Sequence, residues 1–345
     1  MMTYNFFGRL NLAINAHGHR GYRRYFKNEY LRIADTGLVE GAPTITVEVV
    51  KEIPERQDGD IVGSDHYKRL FHFSYLVRGI DTNNVVIYFR AHWVDKLYMN
   101  AIGVYLQAQV LEPVMYLKLL EENVLFMHAA GVATDDAGCL MPAHGGTGKT
   151  TMRMALLGHG YGLLGDDLLF VDVDSQMVHP YPRPLHLFTY NVRNLNGAKV
   201  PFKYQVAIYT KNMLRFGLER ALRTEFLIST RVHADELFKE TPFASSVPYR
   251  RLCFLVKDGE PVVDMPITDD VIPQLAMDIM DSADLNDSLY AVIGDEMKVE
   301  RVKKLEAEVI GELLGQFKQV TYINTRKLDL GDPDDLVKLS RIVEA

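Results

Sequence analysis

The feature that most constrains this chain is a glycine-rich segment that separates a short apolar run from a helical pattern. The segment, residues 143–151, reads AHGGTGKTT and fits the pattern GxxxxGK[ST] except at its first position, where Ala143 replaces glycine. Glycines let the backbone curl so that several N–H groups point at one anion, and the helix that follows adds the positive end of its dipole. The segment therefore predicts a strand, an anion-binding loop and a helix in that order.

Each residue type of this loop has a predicted part in holding a nucleotide. The ammonium group of Lys149 would neutralise the outer phosphates, and the hydroxyl of Thr150 would ligate magnesium. The ligands expected on these grounds are ATP and Mg²⁺. A glycine-rich turn before an ordinary helix is the alternative interpretation. The predicted nucleotide-binding residues are His144, Gly145, Gly146, Thr147, Gly148, Lys149, Thr150 and Thr151.

A pair of acids follows the predicted loop. Asp166 and Asp167 come after Gly165, where a short helix and a return strand would bring the chain back beside the loop. Neighbouring side chains of a strand point in different directions, so one carboxylate could hold the metal while the other accepts a proton from an attacking hydroxyl. The alternative is a polar turn that exposes both acids. A later pair, Asp172 and Asp174, alternates with valines and is predicted to form a solvated face.

A second glycine pattern, GYGLLG at residues 160–165, matches GxGxxG but lies between a helix and a strand. Dinucleotide-binding loops have the reverse order, a strand followed by a helix. We therefore reject a dinucleotide site here. The helix after the phosphate loop is expected over Lys149–Leu157, with Gly158 and Gly160 ending it.

Hydrophobic periodicity predicts an α/β fold of mixed α+β type with a mixed sheet. Alternating residues at 44–50, 71–77 and 85–89 indicate strands, and a turn between the last two would make them a hairpin. Helical spacing covers residues 95–120, divided by Pro113, and residues 296–317. Residues 1–120 are expected to form a β-rich region with linking helices, and residues 121–345 the nucleotide-binding domain.

A second predicted hairpin, of residues 124–134 and 139–141, would lead into the phosphate loop. A simple strand–loop–helix nucleotide fold does not require such a hairpin. Further strands are expected at residues 162–164, 168–173, 252–256, 262–263 and 319–323.

Composition narrows the class of protein. The chain has 345 residues and a formal net charge of −7, which argues against nucleic acid or an anionic membrane as the main partner. No apolar run is long enough for a membrane helix, and the first residues lack the apolar core of a signal peptide. Cys139 and Cys253 form neither a disulfide framework nor a metal-ligand cluster in the sequence. We therefore expect a soluble cytoplasmic protein.

The order of these motifs resembles a known superfamily. HAAGV at residues 128–132, then GTGKTT, then LLGDD is similar to the nucleotide-binding core of the HPr kinase/phosphorylase superfamily and of related serine-kinase-like proteins. That superfamily shares its core with ATP-dependent phosphoenolpyruvate carboxykinase, whose loop has a similar GTGKTT string and a following GDD. The resemblance covers residues 128–173, with a vaguer match at residues 181–185. It implies a carboxykinase-like phosphate-loop core behind a mainly β N-terminal region.

The resemblance also implies roles for particular residues. By similarity to the kinases, Asp167 would be the proton acceptor and Asp166 a metal ligand or its neighbour. In the carboxykinases the second aspartate is the metal ligand, so both assignments stay open. His128 would lie under the loop and act on the acid pair, or would be a hydrogen-bonded core histidine. The residues assigned to catalysis are thus Asp167, Asp166, His128 and Lys149, and those assigned to the metal are Thr150 and Asp166.

The chain departs from both families. True HPr kinases carry a later glutamate-containing signature of the metal site, whereas residues 182–194 contain no acid. The side chains that carboxykinases use for oxaloacetate have no evident counterpart, and residues 1–120 do not resemble the receiver-like domain of HPr kinases. These departures argue against HPr itself, and against oxaloacetate, as the substrate.

The leading interpretation is a kinase that moves the terminal phosphate of ATP onto a hydroxyl group of a peptide, a protein or a small molecule. A carboxykinase-type phosphotransferase and a non-catalytic nucleotide sensor are the alternatives, and a homo-oligomer is left open. Basic residues after the core could bind an anionic acceptor, whereas a basic cluster near the start is predicted to be a solvated helix face. The first set is Arg183, Arg193, Lys199, Lys203 and Arg231, and the second is His17, His19, Arg20, Arg23 and Arg24.

Overall fold

The chain folds as a mixed α/β protein with mixed sheets. The computed structural model describes residues 1–33, 37–67, 71–92, 95, 99–165, 167–181, 183–187, 200–222, 230–237, 244–282 and 285–344. Two compact units are present. The first unit is Met1–Phe126 with Asp284–Val309, and the second unit is Met127–Ala283 with Ile310–Ala345. Because the first unit takes in a late segment, a single cut near residue 120 does not describe the division.

The strands and helices follow one another in mixed order. The strands are β1 (Met2–Phe6), β2 (Leu10–Asn15), β3 (Thr44–Val50), β4 (Ile61–Tyr67), β5 (Phe71–Arg78), β6 (Asn84–Arg90), β7 (Val124–Met127), β8 (Ala129–Ala133), β9 (Gly138–Pro142), β10 (Gly162–Gly165), β11 (Leu169–Asp172), β12 (Met177–His179), β13 (Leu185–Leu187), β14 (Thr230–Val232), β15 (Val247–Val256), β16 (Val262–Pro266) and β17 (Gln319–Asn324). The helices are α1 (Arg20–Glu29), α2 (Met99–Tyr105), α3 (Glu112–Leu120), α4 (Lys149–Leu157), α5 (Phe202–Leu222), α6 (Ala234–Leu237), α7 (Ile272–Asp281), α8 (Leu285–Ile293), α9 (Glu296–Gly315) and α10 (Pro333–Glu344).

The first unit is built on one sheet with strand order β1-β2-β3-β6-β5-β4. Its strands β2, β3 and β6 are parallel, and β5 pairs with β6 as the predicted hairpin. Along β3 every second residue is buried, so this sheet has one face in the core. A π-helical turn, Leu106–Leu111, joins α2 to α3, and Pro113 lies in the first turn of α3, where proline is tolerated.

The second unit is built on a sheet in which β10, β8, β9, β15, β12 and β11 follow one another, with β17 also beside β15 and β16 beside β17. Strand β8 is antiparallel to both β9 and β10, whereas β15 is parallel to both β9 and β17. It follows that β9, β10, β15 and β17 all end at the same edge of the sheet, and that β8 begins there. We call this the loop edge.

The hairpin predicted ahead of the phosphate loop is confirmed, because Ala129 pairs with Pro142 and Ala133 with Gly138. The strand predicted over residues 124–134 is in fact two strands, β7 and β8, separated at His128. The helix predicted after the loop is confirmed with the same bounds as α4, and its buried side chains pack in the core of the second unit. The loop is therefore held between a hydrogen-bonded hairpin and a packed helix.

One sequence prediction about this unit is wrong. Asp172 was expected on a solvated face with Asp174, but its side chain is buried and only Asp174 of this pair is exposed. The Asp172 carboxylate accepts a hydrogen bond from the Ser175 N–H (3.0 Å) and lies 3.9 Å from His179 Nε2. Alternation suggested an exposed face, but β11 is buried at every residue, so alternation does not separate inside from outside here.

Candidate nucleotide-binding site

The phosphate loop takes its shape from two glycines in the left-handed backbone region. Gly146 has φ +74° and Gly148 has φ +102°, values that L side chains rarely adopt. Gly145 has ordinary φ, and a Cβ added there would meet nothing within 4 Å, so the space beside it is open. Thr147, between Gly146 and Gly148, is buried. Its hydroxyl donates to the His144 carbonyl (2.7 Å), which closes the loop on itself.

Ala143 explains why the first glycine of the pattern is dispensable. The residue extends the parallel pairing of β9 with β15 through a bridge to Leu255, and its side chain is fully buried in the core cluster. It is not among the described residues with positive φ. A methyl group is therefore accommodated there, and the loop begins one residue later than the sequence pattern suggests.

Lys149 is the first residue of α4, and its side chain is nearly buried. Its ammonium group donates to the Ala143 carbonyl (2.5 Å) and lies 3.2 Å from His128 Nε2. The lysine therefore spans the base of the loop from its last turn back to its first residue. In a loop that binds phosphate, a lysine at this position would neutralise the outer phosphates.

The hydrogen bonds of His128 determine which of its ring nitrogens carries a proton. Nδ1 lies 2.5 Å from the Ser282 carbonyl, which can only accept, so Nδ1 is the donor. Nε2 faces the ammonium of Lys149, which can only donate, so Nε2 is the acceptor. His128 is thus a neutral imidazole that orients Lys149. The histidine is hydrogen-bonded, as in the second sequence interpretation, and an action on the acid pair stays a prediction.

The first turn of α4 begins at the loop edge, directly after the loop. Gly148 caps the helix without a side-chain hydrogen bond, and the first helical bond runs from the Met152 N–H to the Gly148 carbonyl (2.9 Å). The N–H groups of a first helical turn have no partner within the helix and give it a positive end. Thr150 and Thr151, both half-buried, belong to this turn.

Asp167 lies two residues beyond Gly165, the last residue of β10, which ends at the loop edge. Strand β10 reaches the loop edge at Gly165, where an added Cβ would lie 2.3 Å from the Leu168 carbonyl. A glycine is needed for so tight a turn, and the turn leaves Asp167 exposed. Its carboxylate makes no hydrogen bond or ion pair with any residue in the described part of the chain. Asp166, its predicted partner in catalysis and metal binding, lies outside the described residues.

Two further residues reach the loop from strands that the sequence did not connect with it. Lys257 follows the end of β15, and its Nζ would lie 3.7 Å from a Cβ on Gly146. Thr325 follows the end of β17, and its hydroxyl donates to the Thr147 carbonyl (2.5 Å) and approaches the Val256 carbonyl (3.3 Å). To identify these two residues, one would need to know that β9, β15 and β17, which are far apart in the sequence, pair in parallel.

The structure describes three of the other predicted basic residues, Arg183, Lys203 and Arg231. Arg183 lies near the loop edge, because Tyr181 pairs in parallel with Gly165 at the end of β10. Arg183 stacks on the ring of Tyr181 at 5.5 Å, and Lys203 pairs with Glu236 at 2.8 Å. Burial, and then the charge of Arg231, lower the pKa of Lys211. Arg193 and Lys199 lie outside the described residues. In the first unit, His17, Arg20, Arg23 and Arg24 are exposed and His19 is half-buried, as predicted for a solvated face.

The described residues show neither a cluster of metal ligands nor a membrane-spanning helix. In the described part of the chain, which leaves out Asp166, no three His, Cys, Asp or Glu side chains converge as a metal site. None of the described helices is both long and apolar enough to cross a bilayer. No protein-family model matches the chain, and no curated protein is similar to it in sequence.

Proposed function

We propose that this chain binds ATP with Mg²⁺ at the phosphate loop and transfers the terminal phosphate to a hydroxyl group. One observation supports the proposal: at one edge of the sheet, β9 ends in the loop and Lys149, β8 begins after His128, and β10 ends before Asp167. The carboxylate of Asp167 has no partner among the described residues. Phosphoryl transfer needs positioning, charge neutralisation and a proton acceptor, and that edge has a candidate for each. The fold this suggests is a carboxykinase-like phosphate-loop core.

The proposed roles follow from the chemistry of each group. The loop N–H groups and Lys149 bind the phosphates, and His128 keeps Lys149 in place. Thr150, with Asp166, would hold Mg²⁺, which neutralises phosphate charge when bound. Asp167 takes the proton of the acceptor hydroxyl as its oxygen attacks the terminal phosphorus, and ADP leaves. An unpaired, exposed carboxylate suits this role, because it is not already engaged by a cation.

The same arrangement distinguishes the alternatives. A nucleotide sensor has no need of an unpaired carboxylate next to the loop, so Asp167 favours an enzyme. A carboxykinase needs cations for the carboxylates of its substrate, and the predicted basic residues that are described lie in other contacts. We therefore favour a kinase that acts on a serine of a peptide or protein, or on a small alcohol.

We also propose that the protein acts in the cytoplasm. Cys139 and Cys253 are both buried thiols with their sulfurs 3.6 Å apart, and both are free. Two unlinked thiols side by side are typical of a reducing compartment. Nucleic acid and membrane are not proposed as partners, in keeping with the net charge of −7.

Calorimetric titration of MgATP into the wild-type protein and two variants tests the nucleotide site. Lys149→Met should weaken binding by about 10- to 100-fold, the usual cost of a lost charge-assisted contact. Because Lys149 also spans the loop, its replacement could disturb the loop itself, and Thr150→Val serves as a second variant. Thr150→Val should weaken ATP binding only when Mg²⁺ is present. Lys318→Met, an exposed lysine ahead of β17, is the matched control and should bind normally. A wild-type protein that does not bind ATP would disprove the proposal.

A further inference from the structure

Lys257 has the surroundings of an anion-binding residue. It follows β15 at the loop edge and is half-buried. No carboxylate of the described residues pairs with it, whereas Arg326 at the same edge lies 3.7 Å from Asp258. Lys149 is held by a carbonyl and an imidazole, but the ammonium of Lys257 faces the backbone of Gly146.

A half-buried cation without a counter-ion is costly, because it has lost part of its hydration and gained no partner. A second cation on the same loop adds to that cost. An anion in the open space beside Gly145 and Gly146 would offset both the lost hydration of Lys257 and its repulsion from Lys149. The geometry thus indicates that the loop is completed by a ligand with more negative charge than Lys149 alone would balance.

We propose that Lys257 binds the terminal phosphate of the nucleotide from the Gly146 side of the loop and so selects a triphosphate over a diphosphate. This inference depends on the proposed function, since it names a further contact of the same site. Lys257 is a positioning residue for the transferred group. A lysine placed there binds ATP and releases ADP more easily, because the contact is lost with the phosphate that leaves.

Calorimetric titrations of ATP and of ADP into four proteins test this role. The proteins are the wild type, Lys257→Gln, Lys257→Arg and Lys318→Gln, the last removing a lysine from the opposite edge of the same sheet. Lys257→Gln should lower ATP affinity about 10-fold and ADP affinity less than about 3-fold. Lys257→Arg should retain most of the preference for ATP, and Lys318→Gln all of it.

The possible outcomes separate this inference from the proposed function. If the wild type binds ATP and Lys257→Gln binds it equally well, the role of Lys257 is wrong and the nucleotide site stands. Equal losses for ATP and ADP would overturn the selection of the triphosphate. If the wild type binds neither nucleotide, the site and the role of Lys257 both fail.

A different observation, on α5, carries a second inference. The inner side of this helix faces the core through Tyr204 and Ile208. Its outer side shows six large apolar side chains that are 46% to 78% exposed. One of them is Leu214, and the other five are spaced four, three, four and three residues apart. They are Phe202, Val206, Tyr209, Met213 and Phe216.

This spacing is that of the a and d positions of a coiled coil. Four of the six positions that flank the stripe are uncharged, namely Gln205, Thr210, Asn212 and Gly217, whereas Lys203 and Glu219 are charged. A helix that binds an anionic membrane has a broad apolar face bordered by lysine and arginine, which differs from this narrow, neutral stripe. The stripe therefore fits a second helix with the same spacing.

We propose that the stripe packs against the same stripe of a second copy of this chain. Two identical patches are self-complementary about a twofold axis, and the central flanking positions bring no like charges together. At about 200 Å² for each side chain, the exposed fractions amount to about 600 Å² of surface on each copy. A stable dimer needs about 800 Å² on each partner, which the flanking residues can complete.

Sedimentation velocity over a range of protein concentrations tests the dimer. The wild type should be dimeric at micromolar concentrations, and the double variant Met213→Glu/Phe216→Glu should be monomeric with an unchanged circular dichroism spectrum. Met297→Glu, at an exposed methionine in the first unit, is the control and should remain dimeric. A monomeric wild type, or a dimeric double variant, would show that the stripe is not the contact between copies.

Discussion

Two loops of this molecule begin with the same three residues, Ala-His-Gly, and each joins a parallel strand to a helix. In the first unit, residues 16–19 connect β2 to α1, and in the second unit residues 143–148 connect β9 to α4. Both loops contain residues in the left-handed region, His17 and Gly18 in one and Gly146 and Gly148 in the other. Each lies at the carboxyl edge of three parallel strands.

The two loops differ in the charges that surround them. His17 in the first loop is hydrogen-bonded to the carboxylate of Glu48, a residue of the neighbouring strand. In the second loop Lys149 spans the base and Lys257 lies beside Gly146. The carboxylate of Glu48 offsets positive charge at the first loop, whereas the two lysines at the second loop would attract phosphate. A strand–loop–helix connection is thus not sufficient for an anion site, and the residues of neighbouring strands determine its sign.

Replacement of Asp167 by asparagine tests the largest difference, the unpaired acid at the second loop. The amide keeps the shape of the side chain but loses the basicity, so phosphate transfer should fall by about 10²- to 10⁴-fold while MgATP still binds. ATP hydrolysis, followed by phosphate release, is a usable assay without a known acceptor, because water can take the place of the hydroxyl. Asp136→Asn, in the turn at the opposite end of the β8–β9 hairpin, should leave the rate unchanged.

An unaltered rate in Asp167→Asn, beside a working wild type, would remove the proton acceptor from the mechanism. A wild type that binds ATP without turnover with any acceptor or with water would instead favour the nucleotide sensor.

Matched glycine substitutions compare the two loops directly. Gly148→Ala and Gly18→Ala each place a side chain in the left-handed region, at φ +102° and +86° respectively, with no close atom to clash with the new Cβ. Both should therefore lower the free energy of unfolding by about 1–2 kcal/mol. Gly148→Ala alone should also weaken ATP binding, by about 10-fold, since it distorts the loop that holds the phosphates. Equal ATP affinity in the two variants would mean that the second loop is no more an anion site than the first.

Thr325 offers a smaller test, because it acts on the loop through one hydrogen bond. Thr325→Val removes the hydroxyl that donates to the Thr147 carbonyl and leaves the side-chain shape nearly unchanged. ATP affinity should fall by about 3- to 10-fold, in keeping with about 1 kcal/mol for such a bond. Thr268→Val, at an exposed threonine whose hydroxyl donates to Asp270, should have no effect on calorimetric affinity.

The second loop and its helix were predictable from sequence because their signals are local. Glycines, a lysine and a hydroxyl within nine residues, followed by a helical pattern, require no knowledge of distant strands. Lys257 and Thr325 were not predictable, because they reach the loop only through the parallel pairing of β15 with β9 and with β17. Hydrophobic pattern identifies a strand but does not give its neighbours.

The two sheets differ in how well the alternation of residues in the sequence predicts which side chains are buried. In β3 and β6 of the first unit buried residues alternate with less buried ones, so the alternation seen in the sequence matches the burial. In β8, β9 and β11 of the second unit every residue is buried. Alternation then carries no information on faces, which is why Asp172 was wrongly predicted to be exposed.

The smallest expected effect belongs to the first unit and depends on pH. Asp60 accepts hydrogen bonds from Arg78 (2.6 Å) and from the Gln57 N–H (2.8 Å), and chiefly the bond from Arg78 lowers the pKa of its carboxyl group. A lowered folded-state pKa stabilises the protein above the unfolded value of about 3.9, and the contribution is lost as pH falls through the folded value. Asp60→Asn should thus unfold at lower urea concentration than the wild type at pH 7, and the difference should shrink below about pH 4. Asp58→Asn, at an exposed neighbour, should match the wild type throughout.

ATP affinity should be the same in all three proteins, because Asp60→Asn removes a contact of the first unit and none of the loop edge. A difference that persisted at low pH would mean that the carboxylate charge is not what Arg78 requires.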